Sequence, residues 1–149
     1  MDYLFFENFW LYLLFVIWIG GIFYLSSSKG SVSRTFPYFA PVLRFLLPGS
    51  DEVTMRKDYL VVRKLGHFFG YGILALLASG IFYNSSLPSL ANFWYRYSFA
   101  IVIVVASLDE ARQCFYEDRV GSLSDVALDC LGGLTMIFLF WICTSSFFR

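Results

Sequence analysis

The sequence predicts an all-α integral membrane protein, with four transmembrane helices in an antiparallel bundle and a long loop or interfacial segment between the first two. Three observations predict it. Hydrophobic residues make up 58% of the 149 and the mean hydropathy is +0.66, well above the roughly 45–50% apolar content of a soluble domain. Apolar runs recur near the length of about 20 residues needed to cross a hydrocarbon core. The cluster Trp94, Tyr95, Arg96 and Tyr97 has the composition of an aromatic and snorkelling anchor at a membrane interface.

The first predicted helix covers about 9–25 and carries no ionisable residue, so it reads as scaffold, with Gly20 and Gly21 as close-packing points. Residues 1–9 hold Asp2 and Glu7 and no Lys or Arg. A signal peptide would open on a basic segment, so this run is read as a retained helix. Segment 26–63 reads as a loop. Ser26, Ser27, Ser28 and Gly30 mark the helix exit, while Pro37, Pro41 and Pro48-Gly49 break the remainder. Within it, 39–47 either lies flat at the interface or re-enters the membrane. Ser50, Asp51 and Glu52 suit the positive end of a short helix leading into the second span.

The second predicted helix covers 65–83 and has one ionisable residue, His67. The third is less plain, because its strictly apolar stretch, 99–106, is too short to span. Counted from its aromatic anchor it runs over 96–117, and so carries Asp109, Glu110, Arg112 and Gln113 within its length. The fourth covers 125–147, with Asp129 one turn inside. The whole chain is read as one membrane domain. Cys114, Cys130 and Cys143 lack metal-ligand spacing and read as reduced packing residues.

Eleven basic and eleven acidic residues cancel, so no net field points to nucleic acid. Lys29, Arg34, Arg44, Arg56, Lys57, Arg63, Lys64, Arg112 and Arg119 fall on one side of the predicted bundle, against Arg96 and Arg149. The positive-inside rule then puts both termini outside and the basic connections in the cytoplasm.

Polar residues concentrate at one membrane edge. Lys64, His67 and Tyr71 at i, i+3 and i+7 share a helix face. Asp109, Arg112 and Gln113 fall within about a third of the circumference, with Glu110 about 100° round. Asp125 and Asp129 share a face with Gly132 and Met136, where a small residue lets another backbone approach. Three successive antiparallel helices bring the start of the second, the end of the third and the start of the fourth to one level. Ionisable groups at membrane depth cost several kcal/mol apiece unless paired or hydrated, which makes them functional candidates. The structural alternative pairs Lys64, Arg112 and Arg119 with Asp109, Asp125 and Asp129 simply to pin the helices. A divalent cation on Asp109, Glu110, Asp125, Asp129 and His67 is chemically reasonable, but no tight metal-ligand motif appears. Neither a metal nor another cofactor is assigned.

These residues resemble the VanZ-like family. Arg63-Lys64-Leu65-Gly66-His67-Phe68 followed by Tyr71-Gly72-Ile73-Leu74 is similar to its first signature, a basic residue shortly before His-Phe and then Tyr-x-x-Leu. Asp109-Glu110-Ala111-Arg112-Gln113 resembles its Asp-Glu-x-x-Gln element. Arg119 to Asp125, including Ser122, with Asp129-x-x-Gly132, resembles its third. Family members often have an acidic residue where this chain has Gly70. The family is named for a protein associated with low-level teicoplanin resistance, so the resemblance implies action on envelope lipids or glycans at the outer face. The basic-residue count implies the inner face, and both orientations stay open.

Two functions are expected of such a multi-pass protein of the cell membrane. In the first, an enzyme modifies a lipid or lipid-linked, phosphate-bearing substrate at the interface. His67, Asp109 and Glu110 supply acid–base catalysis, Lys64 and Arg119 hold an anionic group, and Tyr71, Gln113, Ser122, Asp125 and Asp129 complete the binding surface. In the alternative, the same residues hold a lipid headgroup or a glycopeptide without chemistry. An ion path is disfavoured because the polar groups crowd one edge and do not continue along the helices. The expected partners are membrane lipids and a lipid-linked envelope precursor or glycopeptide, with no nucleic acid.

Overall fold

The computed structural model describes residues 3–116 and 121–147, and among them there are helices and no strand. In chain order they are α1 (Tyr3–Leu25), a 3₁₀ turn (Ser28–Gly30), α2 (Val32–Leu46), α3 (Glu52–Tyr83), the short α4 (Pro88–Asn92), α5 (Trp94–Gln113) and α6 (Leu123–Phe147). The third helix is central and packs against α1, α2, α4, α5 and α6, most extensively against α6.

Polarity is distributed inside out. Trp10, Val16, Ile17, Leu65, Leu108 and Leu131 are exposed, whereas Asp109, Glu110, Gln113 and Asp129 are buried. Water would penalise that arrangement and a hydrocarbon solvent favours it. Two helices, α3 and α6, are long and apolar enough to cross a membrane. A third span is reached if α1 and the segment through α2, bent by 66°, count as one. The 20-residue α5 is not among the helices apolar enough to cross. Its composition is what sets it apart, because Arg96, Asp109, Glu110 and Arg112 all lie within that length.

The expected loop at 26–63 is largely helical. The 3₁₀ turn, all of α2 and the first turns of α3 occupy it. Pro37 and Pro41, read as breakers, lie inside α2. Each removes one i to i−4 hydrogen bond, but the two are four residues apart and both are exposed, so the gaps share an outward face. The opposite face buries Phe36, Ala40 and Leu43 against Met55 and Tyr59 of α3. The Tyr59 hydroxyl donates to Thr35 Oγ1 at 2.6 Å.

The second long helix starts at Glu52 rather than at 65. Asp51 caps it, its side chain accepting the Thr54 N–H at 3.2 Å, and hydrogen bonding from the Thr54 side chain and then its N–H holds the exposed carboxyl below the usual aspartate range. The positive helix end anticipated near 50–52 thus belongs to α3 itself. The third predicted helix ends at Gln113 rather than 117, in a turn at Cys114. The fourth starts two residues earlier than expected, at Leu123.

The close-packing glycines are also not those of α1. A Cβ at Gly20 or Gly21 would meet nothing within 4 Å. At Gly132 it would lie 2.1 Å from the Phe68 carbonyl oxygen of α3, and at Gly133 2.8 Å from Val102 Cγ1 of α5. Gly72 reciprocates from α3, where a Cβ would come within 2.8 Å of Met136 Cγ and 3.3 Å of the Gly132 carbonyl oxygen. Below this seam Tyr71, Leu74, Val102, Ala106 and Ile137 form the apolar core.

Since Gly132 abuts backbone and not a flexible side-chain end, Gly132→Ala should force α6 off α3 and lower stability by about 1–3 kcal/mol or more. Gly21→Ala should be within about 0.5 kcal/mol of wild type. Thermal unfolding of the detergent-solubilised protein separates the two.

Candidate functional site

Four helices bring polar groups together around the seam between α3, α5 and α6. On α5, Asp109 is fully buried and both its oxygens are engaged. Oδ1 accepts from the Ser26 hydroxyl at the end of α1 and from Arg112 Nη2 at 3.0 Å, and Oδ2 accepts from Gln113 Nε2 at 3.2 Å. Arg112 reaches onward to the Phe23 carbonyl oxygen at 2.5 Å and to Ser26 Oγ at 2.7 Å. Its guanidinium lies over the Phe23 ring, 4.9 Å from the centroid. The exit of α1 is therefore clamped to α5 by an ion pair and its hydrogen bonds.

Glu110 projects from the next position round α5. Its Oε1 accepts from Gln113 Nε2 at 3.0 Å, and its Oε2 accepts the backbone N–H of Ser122 at 2.9 Å. One amide thus bridges both carboxylates of the Asp-Glu pair. Ser122 can reach because Gly121 lies directly on α5, where a Cβ would come within 2.4 Å of the Glu110 carbonyl oxygen. The Ser122 hydroxyl is paired with Ser124 Oγ at 2.6 Å instead of entering the cluster.

Between α3 and α6, His67 Nδ1 approaches Asp129 Oδ1 at 3.4 Å. Asp129 is fully buried and neither oxygen has a hydrogen-bond partner, nor does His67 Nδ1 or the buried Tyr71 hydroxyl. The His67 and Tyr71 rings lie nearly parallel, 6.3 Å between centroids. His67, Glu110 and Asp129 each offer a ligand atom, and these lie within 4.8 Å of one another, a group able to hold a metal ion.

A cleft of about 690 Å³ opens between α1, the 3₁₀ turn, α2 and α3. Its wall is mostly apolar, including Ile17, Ile22 and Phe69, and His67, Tyr71 and Ser26 lie on its lining. The Trp18 indole N–H donates to the Gly70 carbonyl oxygen at 2.8 Å, tying the α1 wall to α3. Gly70 has open space where a Cβ would be. Arg63, also on the lining, donates to the Gly30 carbonyl oxygen.

Of the residues anticipated from sequence, His67, Tyr71, Asp109, Glu110, Gln113 and Asp129 are drawn into one region. Lys64 and Asp125 pair with each other at 3.5 Å toward the rim, their side chains 63% and 31% exposed. Arg119 lies outside the described residues. Ser26 and Arg112 do not belong to the anticipated site, although Arg112 stands three positions from Asp109. Ser26 carries no signal beyond its place at the end of an apolar run on the same membrane edge.

The model of the family described as VanZ/LLP1 matches residues 9–144, nearly the whole chain. No curated protein matches the chain, and no solved structure does.

Removing the acceptor from the α1–α5 clamp exposes its worth. Asp109→Ala leaves the half-buried Arg112 guanidinium, the Ser26 hydroxyl and the Gln113 amide without their acceptor and should cost about 1–3 kcal/mol. Ser26→Ala and Asp109→Asn should couple by about 0.5–3 kcal/mol in a double-mutant cycle. Lys64→Met, which breaks only the rim pair, should shift stability by no more than about 1 kcal/mol in the same unfolding assay.

Proposed function

The chain belongs to the VanZ/LLP1 family, and on that premise we propose that it is a multi-pass protein of the cell membrane, acting at the envelope as an enzyme. Its substrate is a lipid or a lipid-linked, phosphate-bearing molecule, modified at the membrane interface, and the family ties this activity to glycopeptide resistance. In this reading α1, α3, α5 and α6 cross the bilayer in alternating directions as a single membrane domain, and α2 lies along the interface.

One observation carries the proposal: the apolar cleft has His67 and Tyr71 on its lining, and behind His67 stands a fully buried Asp129. An acyl or isoprenoid chain suits the apolar wall, and a headgroup then meets titratable side chains. His67 backed by Asp129 has the composition of an oriented acid–base pair. Glu110, held by Gln113 and the Ser122 N–H, is a second carboxylate fixed in direction. Lys64 and Arg119 supply positive charge for a phosphate. Asp109 is ion-paired to Arg112 and accepts from Ser26 and Gln113 as well, so in this reading it acts as a positioning residue that fixes α1 and α5 around the cleft.

A second reading has the same cleft holding a lipid headgroup or a glycopeptide without turnover. The apolar lining favours it, since that lining suits retention with or without chemistry.

Mass spectrometry of lipids from vesicles containing the reconstituted protein decides between them. Turnover by the wild type should fall by about 10²–10⁴-fold in His67→Gln and Glu110→Gln. Unaltered lipids together with saturable binding would establish the second reading, and full turnover in both variants would remove His67 and Glu110 from the chemistry.

A further inference from the structure

We infer that His67, Glu110 and Asp129 form a binding site for a divalent transition-metal ion. The three come from three different helices, α3, α5 and α6, and bring one nitrogen and two carboxylate oxygens within 4.8 Å of one another. Ligand atoms about 2.0–2.2 Å from an ion, spread at tetrahedral angles, lie roughly 3.4 Å apart. The His67 Nδ1 to Asp129 Oδ1 separation is 3.4 Å, longer than a good hydrogen bond and suited to two ligands of one cation.

The unmatched lone pairs point the same way. Asp129 is 0% exposed, yet neither of its oxygens has a hydrogen-bond partner, and the facing His67 Nδ1 has none either. The Tyr71 hydroxyl, 1% exposed, lies beside the same groups, against Asp109. Buried polar atoms without a hydrogen bond are rare in a folded protein, and Asp129 and His67 place three around one space. When ionised, Glu110 and Asp129 put two negative charges into an apolar bundle, a costly arrangement without a counter-charge. Of the described cations, Arg112 is paired with Asp109 and Lys64 with Asp125. A divalent ion matches the charge.

Glu110 also has the support typical of a ligand, since Gln113 and the Ser122 N–H fix its carboxylate from outside while leaving lone pairs free. One nitrogen and two oxygens favour Zn²⁺ or Mn²⁺ over Ca²⁺, which takes six to eight oxygens. Three protein ligands would leave a coordination position open, and His67, one of them, lines the cleft. An ion there would polarise a phosphate oxygen or activate a water. The inference deepens the enzymatic reading but rests on the cluster geometry alone.

The test uses the full chain in detergent, stripped with EDTA, offered Zn²⁺ or Mn²⁺ separately, desalted and measured by elemental analysis. The wild type should keep about one equivalent of one of these ions, and Asp129→Asn and Glu110→Gln should keep at least about tenfold less. Retention of neither ion by the wild type, or equal retention by folded variants, would overturn the site. Should the variants fail size-exclusion controls, Co²⁺ loaded into the wild type gives the answer. Ligand-field bands without thiolate charge transfer support the His and carboxylate set, whereas thiolate charge transfer puts the ion on a cysteine and refutes it. Bound metal without lipid turnover would uphold the site and count against the enzyme; turnover without metal would do the reverse.

Discussion

The spacing between α3 and α6 is set where Gly132 meets the Phe68 carbonyl oxygen, and the polar site depends on that contact. No side chain fits between the two backbones there. Asp129 stands one turn before Gly132 on α6, and His67 immediately precedes Phe68 on α3, so the approach of two backbones also fixes the approach of a carboxylate to an imidazole. Gly72 and Met136 repeat the contact on the far side. Small residues at a helix interface are a familiar route to tight packing in lipid, where apolar side chains gain little by leaving one hydrocarbon for another. Here the same packing sets the geometry of titratable groups.

Around that seam the buried carboxylates divide into two kinds. Asp109 is saturated with donors from α1 and α5 and behaves as a structural anchor, closing Ser26, Phe23 and Arg112 into one network. Asp129 is as deeply buried and has no hydrogen bond. Glu110 lies between them in character, held on the side of Gln113 and Ser122. Neighbouring acids in one apolar bundle therefore have opposed electrostatic situations. The contrast separates a group that holds the fold from one available to a proton, a cation or a ligand.

Much of this was legible in the sequence, for physical reasons that also mark where legibility ended. Apolar runs of spanning length identify segments that face hydrocarbon, so α6 and the interior part of α3 were visible. The first turns of α3, with Arg56, Lys57 and Asp58 among apolar residues, carry no such signal, and a search for apolar runs begins only at Leu65. The second helix was hidden by Pro37 and Pro41, although Phe36, Ala40 and Leu43 at i, i+4 and i+7 already mark its buried face. Heptad-like spacing gathered Lys64, His67 and Tyr71 on one face, and alternating helix direction brought them level with Asp109 and Asp129. Which acid meets which base depends on helix rotation and depth, and periodicity within one helix does not report those. Gly132, marked in the sequence as a point of close approach, is one, whereas Gly20 and Gly21, marked alike, meet nothing; glycine shows only that a backbone can be approached and not what approaches it.

The cleft between α1 and α3 is lined mostly by apolar side chains, with Trp18 hydrogen-bonded across to Gly70. Were the proposed substrate a membrane lipid, so apolar a wall would hold its tail with little regard to chain length, because apolar burial follows the area covered and has no direction. Discrimination would then rest with the few polar side chains on the lining, His67 and Tyr71 among them.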